Sequence, residues 1–96
     1  SINSSNNNPE QYSLSQNYPN PFNPNTKIDF SIPKNSVVSI KLYDVLGKEV
    51  AVLVNKDLKI GSYTVDFNAS TLTSGVYFYK ITAGDYTDTK KLVLVK

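Results

Sequence analysis

Apolar residues recur at every second position through most of this chain, and no stretch carries them at helical spacing. In residues 26–32, Ile28, Phe30 and Ile32 fall on one side, with Lys27, Asp29 and Ser31 on the other. Residues 37–43 repeat the pattern, with Val38, Ile40 and Leu42 inward and Ser39 and Lys41 outward. Tyr63, Val65 and Phe67 alternate with Thr64 and Asp66. Successive side chains of a strand point to opposite faces, so this is the signature of antiparallel strands with one face buried and one wet. Residues 48–55 and 91–95 are nearly continuous apolar runs instead. Each is either covered on both faces or offers an apolar stripe to a partner.

The turns are chemically legible. Pro33 starts the link between the first two clear strands, its φ already set for a turn. Asp44 and Gly47 suit a hairpin in which the aspartate bonds the turn backbone and the glycine takes a positive φ. Gly84 and Asp85 read as a two-residue hairpin loop. Leu72-Thr73-Ser74-Gly75-Val76-Tyr77 has the L-x-x-G-x-Y form of a tyrosine corner. There the Tyr77 hydroxyl bonds backbone just upstream, and Gly75 supplies the freedom to turn. Tyr77, Tyr79 and Ile81 then face inward. Six clear strands, with a seventh near residues 12–16, predict an all-β, immunoglobulin-like antiparallel β-sandwich of about seven strands.

The chain has 96 residues, room for one domain. Its opening is polar and nearly devoid of apolar groups, so it is expected to contribute nothing to a core. We divide the chain into a linker, 1–12, and a sandwich domain, 13–96. No leader opens the sequence, so any export leader is expected upstream on a longer chain.

Function classes fall away on residue chemistry. The net charge is +2, and all 10 basic residues are lysine. Without arginine or a basic cluster, nucleic-acid binding is not expected. Histidine and cysteine are absent, which removes the commonest general base and the best nucleophile. The acids Asp29, Asp44, Glu49, Asp57, Asp66, Asp85 and Asp88 read as a solvated surface. Asp85 and Asp88 lack the alternating oxygen ligands of a calcium loop. We therefore expect no catalysis, no metal, no cofactor and no small-molecule substrate. Asn68-Ala69-Ser70 matches a glycosylation acceptor, but Asn68 more simply bonds the following turn.

Several segments together resemble a known family. Leu14-Ser15-Gln16 leads into Asn17-Tyr18-Pro19-Asn20-Pro21-Phe22-Asn23-Pro24, which is similar to the opening of the type A sorting domain of the type IX secretion system of Bacteroidetes and related phyla. The hairpin around Asp44 and Gly47, the strand beginning Gly75-Val76-Tyr77-Phe78-Tyr79, and the ending Lys90-Lys91-Leu92-Val93-Leu94-Val95-Lys96 resemble later family segments. The likeness runs in order over residues 14–96. The chain departs in lacking Pro-Ala-Gly ahead of Lys59-Ile60-Gly61, and in having lysine where arginine is common, at Lys48 and near the C-terminus.

The resemblance implies a cargo label on a larger exported enzyme or adhesin. The parent would fold in the periplasm, pass the outer membrane through the secretion machinery, and meet a sortase-like protease before release or attachment to the cell surface. From the residues themselves, the last strand is expected at a sheet edge, where unpaired N–H and C=O groups can accept a partner strand. We therefore take Gly75, Tyr77, Tyr79 and the run from Lys90 to Lys96 as the recognition surface. Three prolines are expected to hold residues 18–24 extended, with Tyr18 and Phe22 packed on the sandwich. Val45 and Leu46 at a hairpin tip either fold back or touch a partner. Two other readings compete. One is a structural spacer like the immunoglobulin-like domain of flagellar hook-capping proteins. The other is a carbohydrate-binding module using Tyr12, Tyr43 and Tyr86.

Overall fold

The computed structural model describes residues 2–5 and 8–96. Among these the strands are β1 (Ile2–Ser5), β2 (Ser13–Leu14), β3 (Asn25–Ile32), β4 (Ser36–Tyr43), β5 (Glu49–Leu58), β6 (Gly61–Asn68), β7 (Gly75–Ala83) and β8 (Tyr86–Leu94). They form two four-stranded antiparallel sheets, ordered β1-β6-β3-β2 and β5-β4-β7-β8. The sheets pack face to face as an immunoglobulin-like sandwich.

The alternating segments bury the side chains that the period assigns inward. Ile28, Phe30 and Ile32 of β3 meet Val38, Ile40 and Leu42 of β4 and Tyr79 and Ile81 of β7 in the shared interior. A fully buried Ile, Leu or Phe contributes about 1.5–3 kcal/mol relative to exposure, so this alternation drives assembly without disulfides.

Two elements depart from expectation. β1 pairs with β6 in register Ile2↔Val65, and Ile2 packs partly buried against the core. The opening is therefore not wholly inert toward the sandwich. A lone apolar residue carries no periodicity, and this strand owes its form to the backbone groups along the edge of β6. In β5 the pairing with β4 shifts register twice, between Ile40 and Lys41 and between Leu42 and Tyr43. Each bulge adds a residue and re-aims the side chains that follow. Val54 and Leu58 turn inward while Val52 stays 49% exposed, so the continuous apolar run is a strand whose period is broken twice.

The hairpin chemistry is as expected. Asp44 Oδ1 accepts from the N–H groups of Leu46 at 2.9 Å and Lys48 at 3.0 Å. Gly47 sits at φ +83, a region closed to most side chains. The Tyr77 hydroxyl donates to the Thr73 carbonyl at 2.6 Å, which closes the tyrosine corner.

Candidate functional site

β8 is an edge strand, hydrogen-bonded to β7 on one side only. Its inward residues Leu92 and Leu94 are fully buried, as is Tyr79 of β7, and Tyr77 is buried beside them. Lys90 and Val93 are half-buried, and Lys91, Val95 and Lys96 are exposed. The recognition residues read from the sequence thus divide. Leu92, Leu94, Tyr77 and Tyr79 hold the strand in place, while Lys90, Lys91, Val93, Val95 and Lys96 reach the surface. Gly75 opens β7 at φ +154, where a side chain would be strained although the space beside it is open.

The outer edge of β8 is not open along its C-terminal half. Residues 15–22 leave the first sheet, where the Ser15 N–H donates to the Asp29 carbonyl at 2.8 Å, and cross to the edge of the second. There Gln16 Nε2 donates to the Lys91 carbonyl at 2.5 Å, and the Val93 N–H donates to Asn20 Oδ1 at 3.0 Å. The Phe22 N–H donates to the Val93 carbonyl at 3.0 Å, and the Val95 N–H to the Phe22 carbonyl at 2.9 Å. The groups expected to await a partner strand are already satisfied within the chain. The sequence hides this, because amide-to-backbone bonds between distant segments leave no periodic trace.

The motif residues have distinct positions. Phe22 is buried, its ring tilted against Phe67 at 6.3 Å. Asn17 is buried as well: its Nδ2 donates to Thr26 Oγ1 and to the Pro19 carbonyl, both at 3.0 Å, and its Oδ1 accepts from Gln16 Nε2 at 2.7 Å. A buried amide so fully paired fixes the path of the crossing segment. The Pro24 carbonyl accepts from the Ala69 N–H. Tyr18, Pro19, Asn20, Pro21 and Asn23 are exposed, Tyr18 by 78%. The segment runs as bends with three cis X-Pro bonds rather than extended, and only Phe22 of its two aromatics packs inward. Tyr18 lies outside because its backbone pairs with Lys27 at the start of β3, which leaves the ring over solvent.

The other candidate groups are engaged in structure. Asn68 Oδ1 accepts from the Ser70 N–H at 2.8 Å, the turn bond expected of it. Asp88 accepts from Thr89 and from the Tyr86 hydroxyl. Tyr12 and Tyr86 stack on each other at 4.9 Å, nearly parallel, rather than lying in a row with Tyr43 as a sugar platform needs. Val45 and Leu46 do not fold back; Leu46 is 89% exposed at the hairpin tip. Burial pushes the Tyr79 hydroxyl up to about 12, with Asp88 adding to the rise and a backbone hydrogen bond at Asn17 opposing it.

Residues 16–96 match the family model described as the secretion system C-terminal sorting domain. The chain belongs to that family. This sorting domain is therefore a signal for type IX secretion, and its family is one of sorting signals rather than catalysts. Such a domain works with the secretion machinery and with a parent protein in the same chain, which is exported and then secreted or surface-attached. No curated protein sequence matches the chain. The matched span opens at Gln16, the first residue of the crossing segment to bond β8.

Proposed function

We propose that this domain is read as a folded surface after its parent has folded in the periplasm. The outer-membrane machinery engages the residues that reach the surface at the end of β8, the half-buried Lys90 and Val93 and the exposed Lys91, Val95 and Lys96, and draws the parent across. Gly75 and the buried residues Tyr77, Tyr79, Leu92 and Leu94 act by keeping that strand in register. Residues 13–96 are the sorting unit, and residues 1–12 join it to an enzyme or adhesin domain. A sortase-like protease then removes the tail, and the parent is released or attached at the cell surface.

The observation that supports this best is the lacing of the family motif onto the last strand. The two segments with the most specific likeness to sorting domains are hydrogen-bonded to each other. A signal built from both exists only in the folded state. A reporter fused ahead of residues 13–96 should leave a host that has the machinery and stay in the periplasm of one that lacks it. Equal export from both hosts would overturn the proposal.

A further inference from the structure

The two outer faces of the sandwich differ in chemistry. The face of β1-β6-β3-β2 carries Ser13, Ser31, Ser62 and Thr64, and its charged groups are engaged locally: Lys27 lies 3.7 Å from Asp66, and Asp29 accepts a hydrogen bond from the Thr64 hydroxyl at 2.6 Å. The face of β5-β4-β7-β8 carries aromatic and aliphatic groups among lysines. The register sets Tyr43 opposite Phe78, Phe78 opposite Lys91, and Val76 opposite Val93. It also sets Lys41 directly opposite Lys80. Like charges across a strand pair are destabilising, and among the described residues only Lys41 of the two has an acid close by. Of the acids on this face, Glu49 is tied to Lys41 at 3.3 Å and Asp57 lies at the far end beside Val37. Lys80 and Lys91 remain exposed beside the aromatic pair.

We infer that this face docks an acidic surface of a partner protein in the secretion machinery, an inference that rests on the sorting function proposed above. Because the C-terminal half of the β8 edge is closed by Gln16, Asn20 and Phe22, strand addition there is blocked, and the outer face beside it stays open to a partner. An apolar centre of half-buried rings with cations around it matches the anatomy of a protein interface. Tyr43 and Phe78 supply the apolar contact, and Lys80 and Lys91 supply the charges that steer and register an acidic partner. An anionic membrane is a poorer match. Lipid recognition uses clusters of about 4–8 basic residues, and a flat sheet whose rings are half-buried inserts nothing below the headgroups.

The test compares reporter fusions bearing the unmodified domain, the face variant Lys80→Glu with Lys91→Glu, and a control, Lys34→Glu with Lys59→Glu, at turns away from the face. The control makes the same change in net charge. Lys80→Glu replaces a like-charged pair with an opposite one, so the face variant should melt no lower than the unmodified domain. Its exported fraction should fall at least tenfold, while the control exports normally. Normal export of the face variant, or equal losses in both variants, overturns the inference. So does binding of the purified domain to phosphatidylglycerol vesicles that the face variant abolishes while its export stays normal. If even the unmodified fusion stays inside, the sorting proposal fails, and this inference with it; failure of the face variant's prediction alone removes Lys91 from the recognition surface and leaves sorting by the domain standing.

Discussion

Phe22 and Val93 are joined backbone to backbone, the N–H of the first donating to the carbonyl of the second at 3.0 Å. One lies in the proline-rich motif and the other in the last strand. Their bond converts two separate sequence signals into one structural unit. It also places the Phe22 ring in the core, under the strand that its backbone covers.

Phe22 should accordingly be among the costliest positions to truncate. Phe22→Ala is expected to lose about 3–5 kcal/mol, the range for removing a buried ring. Domains of this size have only about 5–15 kcal/mol in total, so the variant should be marginally folded. Urea unfolding of the isolated domain would show this as a large drop in midpoint, and a loss below about 1 kcal/mol would place the ring outside the core.

Asn17 and Tyr18 are adjacent and should behave oppositely. Asn17→Ala removes a paired buried amide and one of the two hydrogen bonds held by Thr26 Oγ1 and by the Pro19 carbonyl, which keep their bond to each other, at a cost of about 1–3 kcal/mol. At roughly 4–8 °C per kcal/mol for a domain of this length, the melting temperature should fall visibly. Tyr18→Ala, at an exposed ring, should change stability by less than about 0.5 kcal/mol. Thermal melts of the two variants side by side decide the point; similar losses would contradict the assigned roles.

The contrast shows what the sequence discloses. Strands β3, β4, β6 and β7 were legible because burial on one face leaves a period of two. The corner at Tyr77 and the turn at Asp44 were legible because their chemistry is local. β5 was obscured by two bulges, and β1 by having one apolar residue to read. The crossing segment was recognisable as a motif, but not its purpose. Nothing in the spacing of Asn20 and Val93 announces that they bond, so the edge of β8 looked open from the sequence and is closed along its C-terminal half in the fold.

The tyrosine corner allows a paired test. Tyr77→Phe loses only the hydroxyl bond to Thr73 and should cost about 0.5–1.5 kcal/mol. Gly75→Ala meets open space but an unfavourable φ, and should cost about 1–3 kcal/mol through backbone strain alone. Denaturant midpoints measure both. A neutral Gly75→Ala would mean that the backbone relaxes freely there.

Alkaline stability follows from Tyr79. Its hydroxyl titrates near 12 in the folded domain, pushed up chiefly by burial, against about 10 in an unfolded chain. Burial, and then Asp88, also raises Tyr86. The neutral form of Tyr79 is the one the fold favours. Its stabilisation is complete below about pH 10 and is lost as pH climbs through the folded value. Denaturant midpoints of the wild type should therefore fall more steeply between about pH 10 and 12 than those of Tyr79→Phe. Equal slopes would contradict the burial of that hydroxyl.

The central claim is that the proline-rich motif closes the edge of the last strand, and native-state hydrogen exchange at Val93 and Val95 tests it most directly. Both amides should exchange as slowly as that of Tyr79 in the central strand β7, and Asn20→Ala should release Val93 selectively. Exchange of Val93 and Val95 at the rate of an unprotected amide in the folded wild-type domain would contradict the claim and reopen the edge to a partner strand.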